Sequence, residues 1–570
     1  MKKRQKPLEK KTILILGGGF GGVYAARRLE KLTKHCRDEI EIVLVNRDNY
    51  FVFHPMLAEI VGGSIGILDS VSALRELLPH THIYVREISE IDIENQMVTL
   101  SPNFDHTDLR VHYDHLVLAL GNVTDFRNSP GGLHEHSLSF KNLADALKIR
   151  NRIIDVIETA AQEDNPKVRK QLLTFIVGGG GFSGVEVVAE INDFARKIIK
   201  MYPLVDPKEI SVYLIHSKDR LVYKELPPSL GKYCAKILEK RGVQILFNTH
   251  LRSATPYEAI LDNGKRIPSS TIVSTVPSSC NPLIETLPFE KIKDLILTDE
   301  TLLVKGTKNI WALGDCAAVP AKIELHYCPP TAQFAVRQGK CVAENIFSSI
   351  KEKGPLKKFS FTALGMMAAL GHKRAVAEMF GFIKLSGFIA WIAWRFIYWI
   401  KLPGVNRKIK VFITWLLDFI VPQEPVQLKI EYRSGINHLH YASGETIFHK
   451  GDVGDYLYII AKGKVSVLET KDGKEIPIAT LEQGQYFGEM ALLKEKRRSA
   501  TVRCIEDCEL LAIRKQDFHL LITNFTQLRE DFMRTESDRL SKYRDLLNSA
   551  GLTDIANDYT LPPEKKAGNE

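Results

Sequence analysis

Two glycine-rich runs, each set between an apolar strand and a helix-forming stretch, are the first residues in this chain with an evident chemical use. Gly17, Gly19 and Gly22 follow Thr12–Leu16 and precede VYAARRLEKL, and Gly179, Gly181 and Gly184 follow Thr174–Val177 within GGGGFSGVEVVAEI. In a G-x-G-x-x-G turn the first glycine permits a tight bend and the second lets backbone approach a pyrophosphate. The third lets helix pack on strand, and the helix N-terminus faces the anion. Both runs are therefore candidate dinucleotide sites, with Phe20 in the first turn and Phe182 and Ser183 in the second. An acidic residue at the end of the next strand would bond an adenosine ribose. Here Asn46, beside Arg47, stands there in the first unit, and His216, followed by Ser217, Lys218 and Arg220, in the second. An amide still hydrogen-bonds a ribose hydroxyl. A missing carboxylate with bases nearby leaves both NADH and NADPH open at the second site.

The elements that must hold these turns alternate along the chain. Strand-like runs at Thr12–Leu16, Glu41–Val45, Leu116–Leu120, Thr174–Val177, Val212–Ile215 and Ile310–Leu313 are separated by helical patterns, which predicts an α/β architecture with parallel sheets. From Gly381 to Pro422 the chain is apolar and aromatic. From about Tyr432 it breaks into short strands punctuated by Gly444, Gly451, Gly454, Gly463, Gly473, Gly484 and Gly488, the pattern of a small all-β domain. Composition agrees: 570 residues, 45% hydrophobic and 25% charged, are those of a folded multidomain protein rather than a disordered or repeat-dominated one. The net charge of +9 is mild for this length. Eight cysteines without a C-x-x-C pair exclude a disulfide-rich module and a clustered zinc site. The first eleven residues carry six Lys or Arg, but the apolar run behind them is only Ile13–Leu16, too short for a secretory signal, so a reducing cytoplasm is expected.

Two further glycine turns follow apolar strands, HLVLALG with Ala119 and Gly121, and NIWALGDCA with Gly314 and Asp315. The four-part set in this order resembles the two-dinucleotide-binding-domain flavoproteins, in which FAD and NAD(P)H each take one Rossmann domain. The resemblance implies that Asp315 bonds the ribitol of FAD. Disulfide reductases of that superfamily carry a C-x4-C pair near the first fingerprint, and residues 40–70 here hold no cysteine. The segment NRDNYFVFHPMLAEIVGG instead resembles the one in type II NADH dehydrogenases, single-subunit enzymes that pass electrons from NAD(P)H through FAD to a quinone. Glu186 matches their glutamate near the nicotinamide and quinone sites. PPTAQFAVRQGKCVAENI resembles their quinone-site helix, A-Q-x-A-x-Q: Ala332, Gln333 and Ala335 match, while Arg337 replaces the second glutamine. Arg is longer, charged and donor-only. It either donates to a quinone carbonyl or marks a different acceptor. The resemblance covers residues 12 to about 428 and implies catalytic roles for Glu186, Gln333 and Arg337.

Four of the five tryptophans fall between Trp391 and Trp415. Leu385–Trp394 is uncharged for only ten residues, about 15 Å of helix, half a bilayer core, before Arg395 interrupts. A second apolar patch, Phe412–Val421, follows the basic linker KLPGVNRKIK, with Lys401, Arg407, Lys408 and Lys410. Two half-length apolar helices flanked by tryptophans and bases describe an interfacial anchor attracted to anionic lipids, not a span. Type II NADH dehydrogenases are held on membranes in the same way.

From Tyr441 the chain closely resembles a cyclic-nucleotide-binding domain, a β-roll with a cassette F-G-E-x-A-L…R-S/T-A. Backbone N–H groups after Gly488 and the guanidinium of Arg498 suit a cyclic phosphate, and Glu489 suits a ribose 2′-hydroxyl. Ser499 is compatible with cAMP or cGMP, and Arg497 stands where a proline is usual. The stretch QLREDFMRTESDRLSKYRDLL leads to the tail without a helix-turn-helix, so no nucleic acid is expected.

The sequence thus predicts a basic segment 1–11, an FAD-binding domain in two parts (12–140 and 291–365), an NAD(P)H-binding domain 141–290, a membrane-contact segment 366–428, a cyclic-nucleotide domain 429–550 and a tail 551–570. The expected activity is that of an FAD-dependent NAD(P)H:quinone oxidoreductase, peripheral on the cytoplasmic face of a membrane, dimeric by family resemblance, and regulated by cAMP or cGMP. The alternatives are a flavoprotein with a non-quinone acceptor and a slow redox- and nucleotide-sensing regulator.

Overall fold

The computed structural model describes residues 10–545 except 102–108, 125–131, 224–225, 276–277, 322–326, 419–424, 428–436, 453, 455, 472–473, 494–497, 516–517, 519–531, 533 and 536–537. The basic segment before Lys10, Arg497 and the tail 551–570 lie outside the described residues. The chain divides into two compact units, one of residues 1–125, 138–250 and 273–427, the other of 126–137, 251–272 and 428–570.

In the first unit the chain begins with β1 (Lys11–Leu16), α1 (Phe20–Leu32), β2 (Ile40–Asn46), the short α2 (Leu57–Gly62), β3 (His82–Val85) and β4 (His115–Leu118). A second wind follows: β5 (Leu138–Ser139), α3 (Leu143–Ala161), β6 (Thr174–Gly178), α4 (Phe182–Ile198), β7 (Ser211–Ile215), α5 (Pro228–Lys240), β8 (Val243–Leu246) and β9 (Thr271–Ser274). The chain then returns to the first wind with β10 (Ile310–Ala312) and α6 (Ala332–Ile350). Two five-stranded sheets result, ordered β10-β4-β1-β2-β3 and β5-β9-β6-β7-β8. Strand β1 runs parallel to both β2 and β4. Ile13, Leu14, Ile15 and Leu16 are completely buried, as are Phe175, Ile176 and Val177 of β6. Such unbroken apolar strands are what a sheet covered on both faces requires. All six strands expected from the alternation lie in these two sheets. An antiparallel sheet over residues 88–112 was not foreseen, because its strands are short and half exposed.

A three-stranded antiparallel sheet, β11 (Gly365–Ala369), β12 (Ala375–Met379) and β13 (Ile383–Ser386), leads into α7 (Gly387–Lys401) and α8 (Val405–Leu417). No helix among the described residues is long and apolar enough to cross a membrane. Two expectations are corrected here. The basic linker is largely the first part of α8: only Leu402–Gly404 separates the helices. Val405, Ile409, Phe412, Ile413 and Leu416 recur at helical spacing and carry the helix through the charges. The tryptophans do not flank an interface either, since Trp391, Trp394 and Trp415 are buried against the protein. The outward face is aliphatic and phenylalanine-rich, with Phe388, Ile389, Ile392, Phe396, Ile400, Val405, Ile409, Phe412, Ile413 and Leu416 all exposed.

The second unit contains an antiparallel sheet over residues 251–268 and a β-roll of two four-stranded sheets. One roll sheet orders strands 437–441, 508–514, 456–462 and 486–487; the other orders 446–448, 501–504, 464–471 and 474–482. Tyr458, Phe448 and Phe487 stack in its core. A short α9 (Glu489–Leu493) follows the last strand of the first sheet, and Leu540 and Tyr543 of a C-terminal helix pack on the core.

Candidate active site and nucleotide sites

Each fingerprint turn is built by close approach. Gly17 has φ +110°, and a Cβ there would lie 2.2 Å from the Ala119 carbonyl oxygen; Gly22 and Gly184 would each drive a Cβ to within 2 Å of the Gly17 and Gly179 carbonyl oxygens. No larger residue fits. Gly19, by contrast, has nothing within 4 Å of its Cβ position, an open cradle in front of the first α1 amides. The same device recurs at both strand ends: Asn46 Oδ1 accepts from the Gly18 N–H at 2.8 Å, and His216 Nδ1 accepts from the Gly180 N–H at 3.1 Å. Asn46 also donates to the Asp48 carbonyl, so in this arrangement its amide braces the turn. Arg47 is largely exposed, 3.8 Å from Asp48. Burial depresses the His216 imidazole pKa, so the ring is neutral, with Nδ1 as the acceptor.

Ala119 and Gly121 close the first site beyond β4, with Gly121 at φ +67°. Gly314 sits at φ +72° and donates to Gln338 Oε1 at 2.8 Å. Asp315 is next in line; burial raises its pKa and Lys141, drawn in by the fold, opposes that. Neither Lys141 nor Gln338 was foreseen. Gln338 is the residue after Arg337, one turn on from Ala335, and only the contact with Gly314 reveals it. The open cradle at Gly19, the positive helix end and the buried Asp315 fit a dinucleotide with a ribitol; the second turn and His216 fit another.

Both fingerprint helices face one cavity of about 1060 Å³. Phe20 and Tyr24 of α1, Phe182, Ser183 and Glu186 of α4, and Ala332, Gln333 and Arg337 of α6 line it, and Lys401–Val405 between α7 and α8 form its outer wall. The Gln333 amide donates to the Gly365 carbonyl at 2.7 Å. Arg337 donates to the Gln333 carbonyl at 2.9 Å and lies over the Phe361 ring at 3.8 Å, so its guanidinium is held in the wall. Glu186 accepts from the Ala369 N–H at 3.0 Å. Burial, reinforced by the nearby Glu59 carboxylate and only partly offset by that N–H, pushes its pKa up to about 8.

Behind Glu186 lies an acidic interior the sequence did not announce. Arg395, expected to interrupt an apolar helix, is 7% exposed and reaches Glu59 at 3.3 Å and Asp418 at 3.2 Å. Its guanidinium packs between Trp391 and Trp415, and Trp415 donates to Glu59 at 3.2 Å. The charge pins α7 and α8 to α2.

In the β-roll, Arg498 is buried but turned to the protein. It donates to the Gly488 and Tyr456 carbonyls, both at 2.9 Å, and lies 4.1 Å over Phe448. Glu489 is buried and paired with Arg539 of the C-terminal helix at 2.7 Å. Ser499 is exposed. Together with Arg539 and Tyr543 these residues line a cavity of only about 40 Å³, room for water and far below the volume of a small-molecule pocket. The cassette residues are gathered around this small space, with Arg539 and Tyr543 among its lining.

Two doubly wound sheets, each with a glycine turn at its switch point and both opening on one cavity, define a two-dinucleotide-binding oxidoreductase fold. Residues 11–339 match the family described as pyridine nucleotide-disulphide oxidoreductase, residues 364–422 an NDH2 C-terminal domain, and residues 438–525 a cyclic nucleotide-binding domain. The chain belongs to the pyridine nucleotide-disulphide oxidoreductase family, as a type II NADH dehydrogenase-like member with a cyclic nucleotide-binding domain. It is similar to demethylphylloquinone reductase NdbB of Synechocystis sp., 31% identical over 411 residues covering 71% of this chain and 95% of the relative. It is also similar to a probable NADH dehydrogenase of Dictyostelium discoideum, 29% identical over 73% of this chain and 91% of the relative. The type II NADH:quinone oxidoreductase Ndh of Mycobacterium tuberculosis is 28% identical over 73% and 89%. The solved structure of NDH2 from Plasmodium falciparum in complex with NADH shares the fold, with TM-score 0.67 and 19% identity over 73% of this chain and 100% of that one.

Proposed function

We propose that this chain oxidises NADH or NADPH through bound FAD and reduces a quinone. The single cavity faced by both fingerprint helices carries this reading, because it lets the nicotinamide, flavin and acceptor meet in one apolar space. When bound, FAD supplies hydride acceptance from the nicotinamide and delivery of two electrons to the acceptor. The protein's own residues do the rest. Gly17, Gly19 and Gly22, with Ala119, Gly121, Gly314 and Asp315, hold the flavin nucleotide, and Gly179, Gly181, Gly184 and His216 hold the nicotinamide nucleotide. Phe20, Phe182 and Phe334 exclude water from the cavity. Glu186 keeps a proton at neutral pH where an acceptor needs one. Arg337, fixed on Phe361, offers donors to a quinone oxygen in place of a glutamine amide.

The exposed apolar face of α7 and α8, with Lys408 and Lys410 beside it, supports peripheral docking on an anionic membrane surface, which we assign to the cytoplasmic side. Homodimerisation through the same face is the competing occupant. The second unit supports cAMP or cGMP as an effector, because Glu489 and Arg498 are both gathered at one pocket.

Stopped-flow reoxidation tests the central reading. The flavoprotein is reduced anaerobically with NADH or NADPH and mixed with a short-chain quinone. Reoxidation faster than steady-state turnover is expected; flavin that reduces readily but ignores quinone requires another acceptor.

A further inference from the structure

Reduction of a quinone by NAD(P)H consumes one proton from water: the hydride brings two electrons and one proton, and the quinol needs a second proton. The cavity that would receive it is apolar, and Glu186 in its wall holds only one. Helix α4 carries two more carboxyls on the same face, Glu190 one turn on and Asp193 nearly another turn beyond, so the row spans about 10 Å from the cavity inward. Glu190 is 6% exposed, and the Asp193 side chain 19%.

The packing makes room for this row specifically. A Cβ on Gly62 of α2 would fall 1.8 Å from Glu190 Oε2, and one on Gly371 would fall 2.3 Å from Asp193 Oδ2. Glycines on two different elements thus allow the carboxyls to lie where they do. At the outer end Asp193 pairs with Arg241 and accepts from the His372 N–H at 2.9 Å, and His372 is exposed. The other charges facing Glu190 are Glu59 from α2, Arg241 at the end of α5 and Arg395 from α7. Burial raises the Glu190 pKa, and the neighbouring acids add to it more than the cations take away, so Glu190 also holds its proton. A buried carboxyl kept neutral costs stability. Nothing in nucleotide binding calls for it.

We propose that Glu190 and Asp193 form a proton path along α4, from solvent at His372 to Glu186. This rests on the quinone-reductase reading. Asp193 takes up a proton at the surface, Glu190 passes its proton to Glu186 as Glu186 gives one to the reduced acceptor, and each carboxyl is reprotonated from the outer side. One proton enters for each NAD(P)H oxidised, and no other reactant is needed.

The test uses the FAD-loaded full chain, wild type, Glu190→Gln and Gly62→Ala. Each is reduced anaerobically with NADH, then mixed with a short-chain quinone in H2O and in D2O, and followed by flavin absorbance and by infrared difference spectroscopy of protonated carboxyls. In Glu190→Gln the quinone step is expected to slow by about tenfold or more, with a larger solvent isotope effect, while flavin reduction by NADH stays within about twofold. Gly62→Ala, which displaces the carboxyl without removing it, is expected to fall between. The wild type is expected to show a carboxyl band that changes during quinone reduction and is missing in Glu190→Gln. An unchanged quinone step and isotope effect in Glu190→Gln, with the band retained, overturns the path alone. Wild-type flavin that quinone does not reoxidise overturns the acceptor reading, and the path falls with it.

Discussion

Replacing Glu186 by Gln should make the protein more stable and less active, and both changes follow from one buried carboxyl. In the folded protein the group holds its proton until about pH 8, whereas an ordinary glutamate releases it near 4.5. The folded state therefore binds more protons than the unfolded state between these values, so stability falls as pH rises. The penalty is absent below the unfolded value, about 3 kcal/mol at neutral pH, and levels off near 5 kcal/mol once pH passes 8. Glutamine is uncharged at every pH and retains an oxygen for the Ala369 N–H. The variant should escape that penalty, moving the urea midpoint of the holoenzyme up by about 0.5 M at neutral pH and hardly at all near pH 4.5. Function should move the other way. Quinone-driven reoxidation in the wild type should decline as pH rises through about 8, and in the variant it should be slower by about 10²-fold or more and lack that limb. A variant less stable than wild type at neutral pH, or one with the same pH limb, refutes the argument.

Three other outcomes are expected. Arg395→Leu leaves Glu59 and Asp418 facing each other without their cation, at a cost of about 3 kcal/mol or more. Because burial raises the Glu59 pKa, the loss should be smaller at mildly acidic pH, and Glu59→Gln added to Arg395→Leu should restore part of the urea midpoint. Arg539→Ala removes the Glu489 ion pair and widens the small β-roll cavity, so calorimetry should show cAMP or cGMP binding about tenfold more tightly than to wild type; equal or weaker binding shows that Arg539 does not restrict the pocket. Phe396→Glu with Ile413→Glu places two charges on the exposed face of α7 and α8 and should weaken cosedimentation with anionic vesicles by at least about tenfold. Unchanged vesicle binding with a smaller sedimenting species would instead assign that face to a dimer.

What could be read from the sequence was whatever is fixed locally. A glycine turn between strand and helix constrains its own backbone, so Gly17, Gly22, Gly179 and Gly184 were legible at once. The all-β character of the second unit was equally plain from its spacing. Asn46 and His216 looked like departures from a pattern; the structure gives them a common local task, bracing Gly18 and Gly180. The harder residues are those whose meaning lies far along the chain. Arg395 read as an interruption because its partner Glu59 stands 336 residues away. Glu190 drew no reading at all, because only the absence of a Cβ on Gly62 shows where its carboxyl goes. The inward tryptophans were misread for the same reason: hydropathy records how apolar a segment is, not that Trp391 and Trp415 enclose a guanidinium.

The outer wall of the cavity is the turn between the two amphipathic helices, Lys401–Val405, the same helices that carry the exposed apolar face. If that face rests on a bilayer, as proposed above, an acceptor entering there arrives from lipid rather than from water. The concentration that governs turnover is then the mole fraction of quinone in the bilayer, so an apparent KM quoted per volume of solution would scale with the amount of membrane in the assay. Doubling the lipid at fixed total quinone would slow a subsaturated enzyme, although nothing about the protein or the substrate has changed.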